Sequence, residues 1–77
     1  MQSRIAAVLA RTFKIPAEAV TAESGPHSIA AWDSAGHMNL VLELEKEFGV
    51  RFGDDDVVEM ISVGDIAVVL ARHSAAK

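Results

Sequence analysis

Apolar side chains return along this chain at helical spacing, and the breaks in that spacing divide it into elements. Behind Ser3, a candidate N-cap, Ile5, Val8, Leu9, Thr12 and Phe13 mark one face of a helix from about Ser3 to Phe13, which Lys14-Ile15-Pro16 brings to an end. From Pro16 to Asp33 the period dissolves into Ala, Thr and Ser with Gly25 and Pro26, and isolated Val20, Ile29 and Trp32 read as pins holding a long loop to the core. Leu40, Val41, Leu44 and Phe48 form the strongest stripe and predict a second helix from Asp33 to Phe48, with Gly49 as its C′ residue. After the connection Val50-Arg51-Phe52, Gly53 and the run Asp54-Asp55-Asp56 precede Val57, Val58 and Met60. Acidic residues belong at the positive end of a helix, so a short one of a turn or two is expected there. Ser62, with Asp65 three residues on, approaches a capping box for a last helix. Its buried face is Val63, Ile66, Val69 and Leu70, its end Arg72 or His73, and Ser74 to Lys77 should fray.

These elements predict an all-α four-helix bundle, three main helices plus one short helix, with a long loop between helices 1 and 2, in a single domain over residues 1–77. The composition agrees: 51% of residues are apolar, which excludes a disordered chain, while two prolines, five glycines and 5% aromatics disfavour a β-sandwich. Seventy-seven residues leave little room for catalytic machinery, which argues against a large enzyme. With no cysteine, neither disulfides nor a thiolate metal site holds the domain, and thiol chemistry would have to arrive on a cofactor. A net charge of −4 argues against nucleic acid and favours partners with basic surfaces. Met1-Gln2-Ser3-Arg4 runs straight into an amphipathic segment, and no apolar stretch reaches bilayer length. The expectation is a cytoplasmic monomer without membrane insertion.

The segment Asp33-Ser34-Ala35-Gly36-His37-Met38-Asn39-Leu40 sets a serine where the long loop meets the best helix. Spacing alone leaves two readings, and the ordinary one is that Asp33 or Ser34 is simply the N-cap. Trp32-Asp33-Ser34 followed by the apolar helix, the helix end Leu44-Glu45-Lys46-Glu47-Phe48-Gly49-Val50, the acidic short helix and Ser62-Val63 together resemble the acyl carrier protein family. The resemblance implies that Ser34 carries a covalent 4′-phosphopantetheine arm whose thiol holds acyl groups as thioesters. It implies a separate phosphopantetheinyl transferase that moves the arm from coenzyme A using Mg²⁺, with Asp33 at the position that assists transferase recognition or metal geometry. It also implies acyl-loading and acyl-using enzymes as partners, and no catalysis by the carrier itself. The arm's phosphodiester is an anion, suited to the free N–H groups and partial positive charge of a helix start.

An outward stripe on the second helix, Ser34, Ala35, Met38, Leu42 and Glu45, is offset from the core stripe. It reads either as edge-of-core packing or as a docking face. In the family this helix is the recognition helix, so the resemblance makes Ala35, Met38, Asn39, Leu42, Glu45 and Lys46 the expected partner face. The family also shelters longer acyl groups between its helices, and Val41, Leu44, Phe52, Val57, Met60 and Ile66 are the candidates for lining such a cavity. The sequence departs from the pattern in several places: Ala35 replaces the usual Leu or Met, Gly36 weakens the first turn, Asn39 and Lys46 stand where acids are common, and Gly53-Asp54 lacks a proline. These departures suggest a specialised member.

His37 lies one turn beyond Ser34, but a hydrolase needs an oxyanion hole and cleft that this domain has little material to build. A boundary position under the long loop is expected for it, and a buried anchoring role for Trp32. Asp54-Asp55-Asp56 lacks the downstream Gly and bidentate Glu of a calcium loop, so no metal site is expected. Fatty acid, lipopolysaccharide-type lipid, polyketide and amino acid all remain open as cargo. The alternatives are a peptidyl or aminoacyl carrier, which shares the arm, and an unmodified helical interaction module that uses the Met38 and Leu42 face.

Overall fold

In a computed structural model that describes residues 2–75, the apolar stripes close on one another as an all-α bundle. Among the described residues there are four α-helices, α1 (Gln2–Phe13), α2 (Ser34–Phe48), α3 (Asp54–Glu59) and α4 (Val63–Ala75), with a 3₁₀ turn at Ala17–Ala19. Helix α1 packs on α2 and α4, and α3 packs on α4. Among the described residues, no helix is long and apolar enough to cross a membrane.

Chain chemistry explains most of the boundaries, and two differ from expectation. Ser3 is not a cap, because α1 already includes Gln2. The helix ends at Lys14, which takes the left-handed conformation (φ 58°) usually left to glycine, while the Ile15 N–H reaches back to the Ala10 carbonyl at 3.1 Å. Gly49 ends α2 in the same conformation (φ 64°), as its place after Phe48 predicts. Helix α3 starts with the Gly53 N–H donating to the Asp56 carboxylate at 3.1 Å. At α4 the Ser62 hydroxyl accepts from the Asp65 N–H at 3.1 Å and donates to its carboxylate at 3.0 Å. Helix α4 runs to Ala75, past the expected end at His73, so Ser74 and Ala75 are helical rather than frayed; residues 76–77 lie outside the described residues.

The core joins Ile5, Val8, Leu9 and Phe13 from α1 to Leu40, Val41 and Leu44 from α2. Met60, Val63, Ile66, Val69 and Leu70 close it from the other side. Ile29 and Trp32 enter it from the long loop, Val20 packs partly against it, and Phe48 is half-buried beneath the Arg4 guanidinium, 4.5 Å above its ring. Thr12 sits at the edge, its hydroxyl buried without a partner. Truncating a fully buried Leu or Ile here to Ala costs about 2–5 kcal/mol, a large share of what so small a domain can hold.

The long loop is a string of turns with a structural task. Within it, Ser28 and Ile29 donate to the Gly25 carbonyl, and Trp32 donates to that of Ile29 at 3.0 Å. Its outer carbonyls, Ser24 O and Ala22 O, accept the Val63 and Gly64 N–H groups at 3.0 and 2.9 Å. The loop therefore satisfies orphan donors of α4's first turn while driving Trp32 into the core.

Candidate functional site

The start of α2 divides its work between two neighbouring residues. Asp33, extended (φ −93°, ψ −167°), is the N-cap, its Oδ1 accepting the Gly36 N–H at 2.8 Å. Ser34 is the first residue of the helix, and it is exposed. Of the two capping candidates, the structure assigns the cap to Asp33 and leaves the Ser34 hydroxyl free of that role. The Ser34 and Ala35 N–H groups belong to the first turn, where helix geometry supplies no acceptor, and the helix dipole places partial positive charge there. A phosphodiester on Ser34 Oγ fits this position: it stays in water beside the electropositive helix end and needs no cavity.

Behind the serine, Trp32 and His37 lock the loop to the helix. The Trp32 indole N–H donates to His37 Nδ1 at 2.8 Å, and His37 Nε2 lies 2.8 Å from the Val57 carbonyl on α3. Because an indole nitrogen only donates, Nδ1 is the acceptor and Nε2 carries the hydrogen that Val57 receives. His37 is thus neutral in this arrangement and ties together loop, α2 and α3. Trp32 also stacks on Phe13, ring centres 5.7 Å apart. Its place as a buried loop anchor is as expected, and His37 does sit at the boundary beneath the loop. Both of His37's ring nitrogens are committed, so it is not poised to take a proton from Ser34.

Gly36, which looked like a weakness in the helix, is required by packing. A Cβ there would lie 2.1 Å from the Ala31 carbonyl oxygen and 3.1 Å from Phe13 Cε1. The loop crosses the helix start at a distance only glycine allows. Nothing in the local sequence marks that approach.

On the outer face, Ala35, Met38, Asn39, Leu42 and Lys46 are exposed, with Met38 at 51% and Leu42 at 54%. Neither is edge-of-core packing. Glu45 is different: it is half-buried, and its Oε2 accepts the Phe52 N–H at 2.8 Å, holding the connection after α2 in place. The other α2 carboxylates also have partners. Glu43 meets Arg11 at 3.3 Å and Lys46 at 3.7 Å, and Glu47 meets Arg4 at 3.3 Å and Arg11 at 3.6 Å. The pairs are worth little in stability, but they offset the charge of these two carboxylates. Exposed carboxylates stand instead on α3, at Asp54 and Asp55.

Of the six cavity candidates, Val41, Leu44, Phe52, Met60 and Ile66 are core residues. Val57 alone among them lines the groove beside Ser34. That groove, about 480 Å³ and open on one side, is walled by Pro26, Trp32, Asp33, Ser34, His37, Val57, Val58 and Ile61. Nearby, Asp56 is committed to structure: its Oδ2 lies 2.9 Å from His73 Nε2. The His73 hydrogen bond chiefly, then that from the Gly53 amide, holds the Asp56 carboxyl below its ordinary value of 3.8, with the His73 and Arg72 charges adding to the effect and burial opposing it. Among the described residues, no three His, Asp or Glu side chains gather as a metal site.

An exposed serine at a helix start, relieved of capping, is free to carry a tethered group, and comparison with known proteins shows the family. The profile of the family described as "Phosphopantetheine attachment site" matches residues 3–70. The chain is also 32% identical over 76 residues to the acyl carrier protein of Syntrophobacter fumaroxidans (strain DSM 10017 / MPOB), a match that covers 99% of this chain and 94% of that protein. The chain belongs to the acyl carrier protein family, and the group that membership brings is a covalently attached 4′-phosphopantetheine.

Proposed function

We propose that Ser34 bears the phosphopantetheine arm and that the chain presents acyl groups, held as thioesters on the arm's thiol, to enzymes that dock on α2. The observation that carries this reading is the exposed Ser34 hydroxyl at the first residue of α2, relieved of capping by Asp33. Attachment forms a bond from Ser34 Oγ to the phosphorus of the arm and breaks the bond to the nucleotide half of coenzyme A, while the serine proton leaves. Asp33 stands beside the reacting hydroxyl, where it assists recognition by the transferase. The chain itself supplies no catalysis. Acyl rather than aminoacyl cargo is favoured by the acidic residue before the serine and by the acyl carrier relative. We place the protein in the cytoplasm, as a monomer. Met38 and Leu42, with Ala35, Asn39 and Lys46 around them, form the docking face, and Met supplies adaptable contact there.

The test is direct. The purified unmodified chain, incubated with coenzyme A, Mg²⁺ and a promiscuous phosphopantetheinyl transferase, should gain the mass of one arm. Ser34→Ala should keep its helical circular dichroism and gain nothing. No gain on the wild type, or an undiminished gain on the variant, overturns the assignment and leaves the interaction module as the reading.

A further inference from the structure

The net charge of −4 is divided unevenly over the molecule. Helix α3 carries Asp54, Asp55, Asp56 and Glu59 and no cation, whereas five of the seven Lys and Arg residues, Arg4, Arg11, Lys14, Lys46 and Arg51, lie on α1, α2 and the residues just after them. Three of those five gather beside the outer face of α2. A groove of about 780 Å³, open to water, is lined there by Asn39, Leu42, Arg11, Lys46 and Arg51 together with Glu43 and Glu45. Its two carboxylates are already engaged. Glu45 accepts the Phe52 N–H at 2.8 Å, and Glu43 is shared between Arg11 at 3.3 Å and Lys46 at 3.7 Å. The Lys46 side chain is still 76% exposed, and Arg51 is exposed and makes no ion pair among the described residues. The groove beside Leu42 therefore offers positive charge, on a protein that is acidic as a whole.

We infer that the enzyme surface covering Leu42 is acidic where it meets Lys46 and Arg51, and basic only where it reaches Asp54 and Asp55 on α3, so that the partner's docking site carries both signs of charge. This rests on the reading that enzymes dock on α2, and it names the chemistry they bring. Lys46 lies about 18 Å along α2 from Ser34 at the rise of a helix. A protein that contributes about 800 Å² to an interface covers a patch roughly 30 Å across, so an enzyme that receives the arm at Ser34 and covers Leu42 also covers the Lys46 end of the helix. A lysine or arginine of the enzyme placed there would meet like charge in a contact stripped of much of its water. An enzyme carboxylate instead gives Lys46 and Arg51 an acceptor, and the planar guanidinium can hold it through two parallel N–H bonds.

Two experiments test the sign of this surface, the first without the arm. Titrated into the unmodified chain, an amphipathic helical peptide of Leu and Glu should shift the ¹⁵N–H signals of Asn39, Leu42, Lys46 and Arg51. The same peptide with Lys for Glu should shift Asp54 and Asp55 and leave those four in place. Both effects should fade as salt rises from about 50 to 500 mM. A Lys peptide that seats on Leu42 and Lys46, or a Glu peptide that does not, overturns the inference. The second experiment uses the arm-bearing chain and the acyl-loading enzyme of its own cell, purified by that activity. A water-soluble carbodiimide, which joins an amine to a carboxylate already touching it, should link Lys46 to an Asp or Glu of the enzyme. Arg51→Glu, which leaves the Lys46–Glu43 pair intact, should weaken binding about tenfold, and replacing the linked enzyme carboxylate with lysine should recover part of that loss. Should Arg51→Glu not fold, Arg51→Gln removes only the charge and should weaken binding in the same direction. No link from Lys46, or tighter binding by either variant, overturns the inference. A chain that gains no arm overturns the carrier reading, and the peptide result then decides the sign of the surface by itself.

Discussion

Replacing Gly36 with alanine sets two effects of known sign against each other. In a helix, alanine is favoured over glycine by about 1 kcal/mol, so propensity alone expects a more stable protein. The added Cβ would stand 2.1 Å from the Ala31 carbonyl oxygen, and that oxygen belongs to the loop backbone. It has little freedom to retreat. The next residue, Trp32, donates its N–H to Ile29, stacks on Phe13 and is hydrogen-bonded to His37. Forcing extra volume into a packed site costs typically about 1–3 kcal/mol, and a clash with backbone belongs at the upper end or beyond. The net expectation is a loss of about 1–2 kcal/mol, or roughly 5–15 °C in Tm for a domain of this size. Thermal melts followed by circular dichroism, and by fluorescence of the single tryptophan, Trp32, measure it. A variant as stable as the wild type or more so, with unchanged Trp32 emission, would refute the reasoning, since the loop would then not be clamped to α2 by this approach.

Three more outcomes are expected. Asp33→Asn keeps a capping oxygen and should melt within about 0.5 kcal/mol of the wild type, whereas Asp33→Ala should lose about 1 kcal/mol; if Asp33 also serves the transferase, both variants load more slowly, and a loading rate that follows stability alone would deny it that role. Because the folded-state pKa of Asp56 is depressed, the stability it contributes is present above pH 3.8 and lost as pH falls through the lower folded value. Asp56→Asn should therefore be less stable at neutral pH and converge with the wild type in acid, as urea melts across pH 2–7 would show; parallel curves would contradict this. Met38→Ala and Leu42→Ala, both at exposed positions, should change stability by under about 0.5 kcal/mol while weakening binding to acyl-handling partners, read by titration against a loading enzyme; strong destabilisation would mean the two side chains pack in the fold.

Where one element carries its own signal, sequence was enough. The stripe Leu40, Val41, Leu44 and Phe48, ended by Gly49, predicts α2 to within a residue, and the acidic run before Val57 predicts a short α3. At Asp33-Ser34 the signal is local but ambiguous, because both residues cap helices well, and only backbone geometry shows which does so. What sequence could not show depends on distant partners. Glu45 falls on the outward stripe by periodicity, yet its long side chain reaches the Phe52 amide. Glu43 and Glu47 are paired by Arg4 and Arg11 of α1, partners that their own positions along the chain do not show. The loop's order comes from backbone carbonyls of Ala22 and Ser24, whose side chains give no hint of it. Trp32 and His37 each have an ordinary local explanation, and their joint role exists only when α3 supplies the Val57 carbonyl.

The chain's central claim can be read from protein purified out of its own cell. Intact and fragment mass spectra should show one phosphopantetheine arm localised to Ser34, with an acyl mass that mild thioester cleavage removes. An unmodified Ser34 in every molecule, or an arm mapped to another residue, would contradict it.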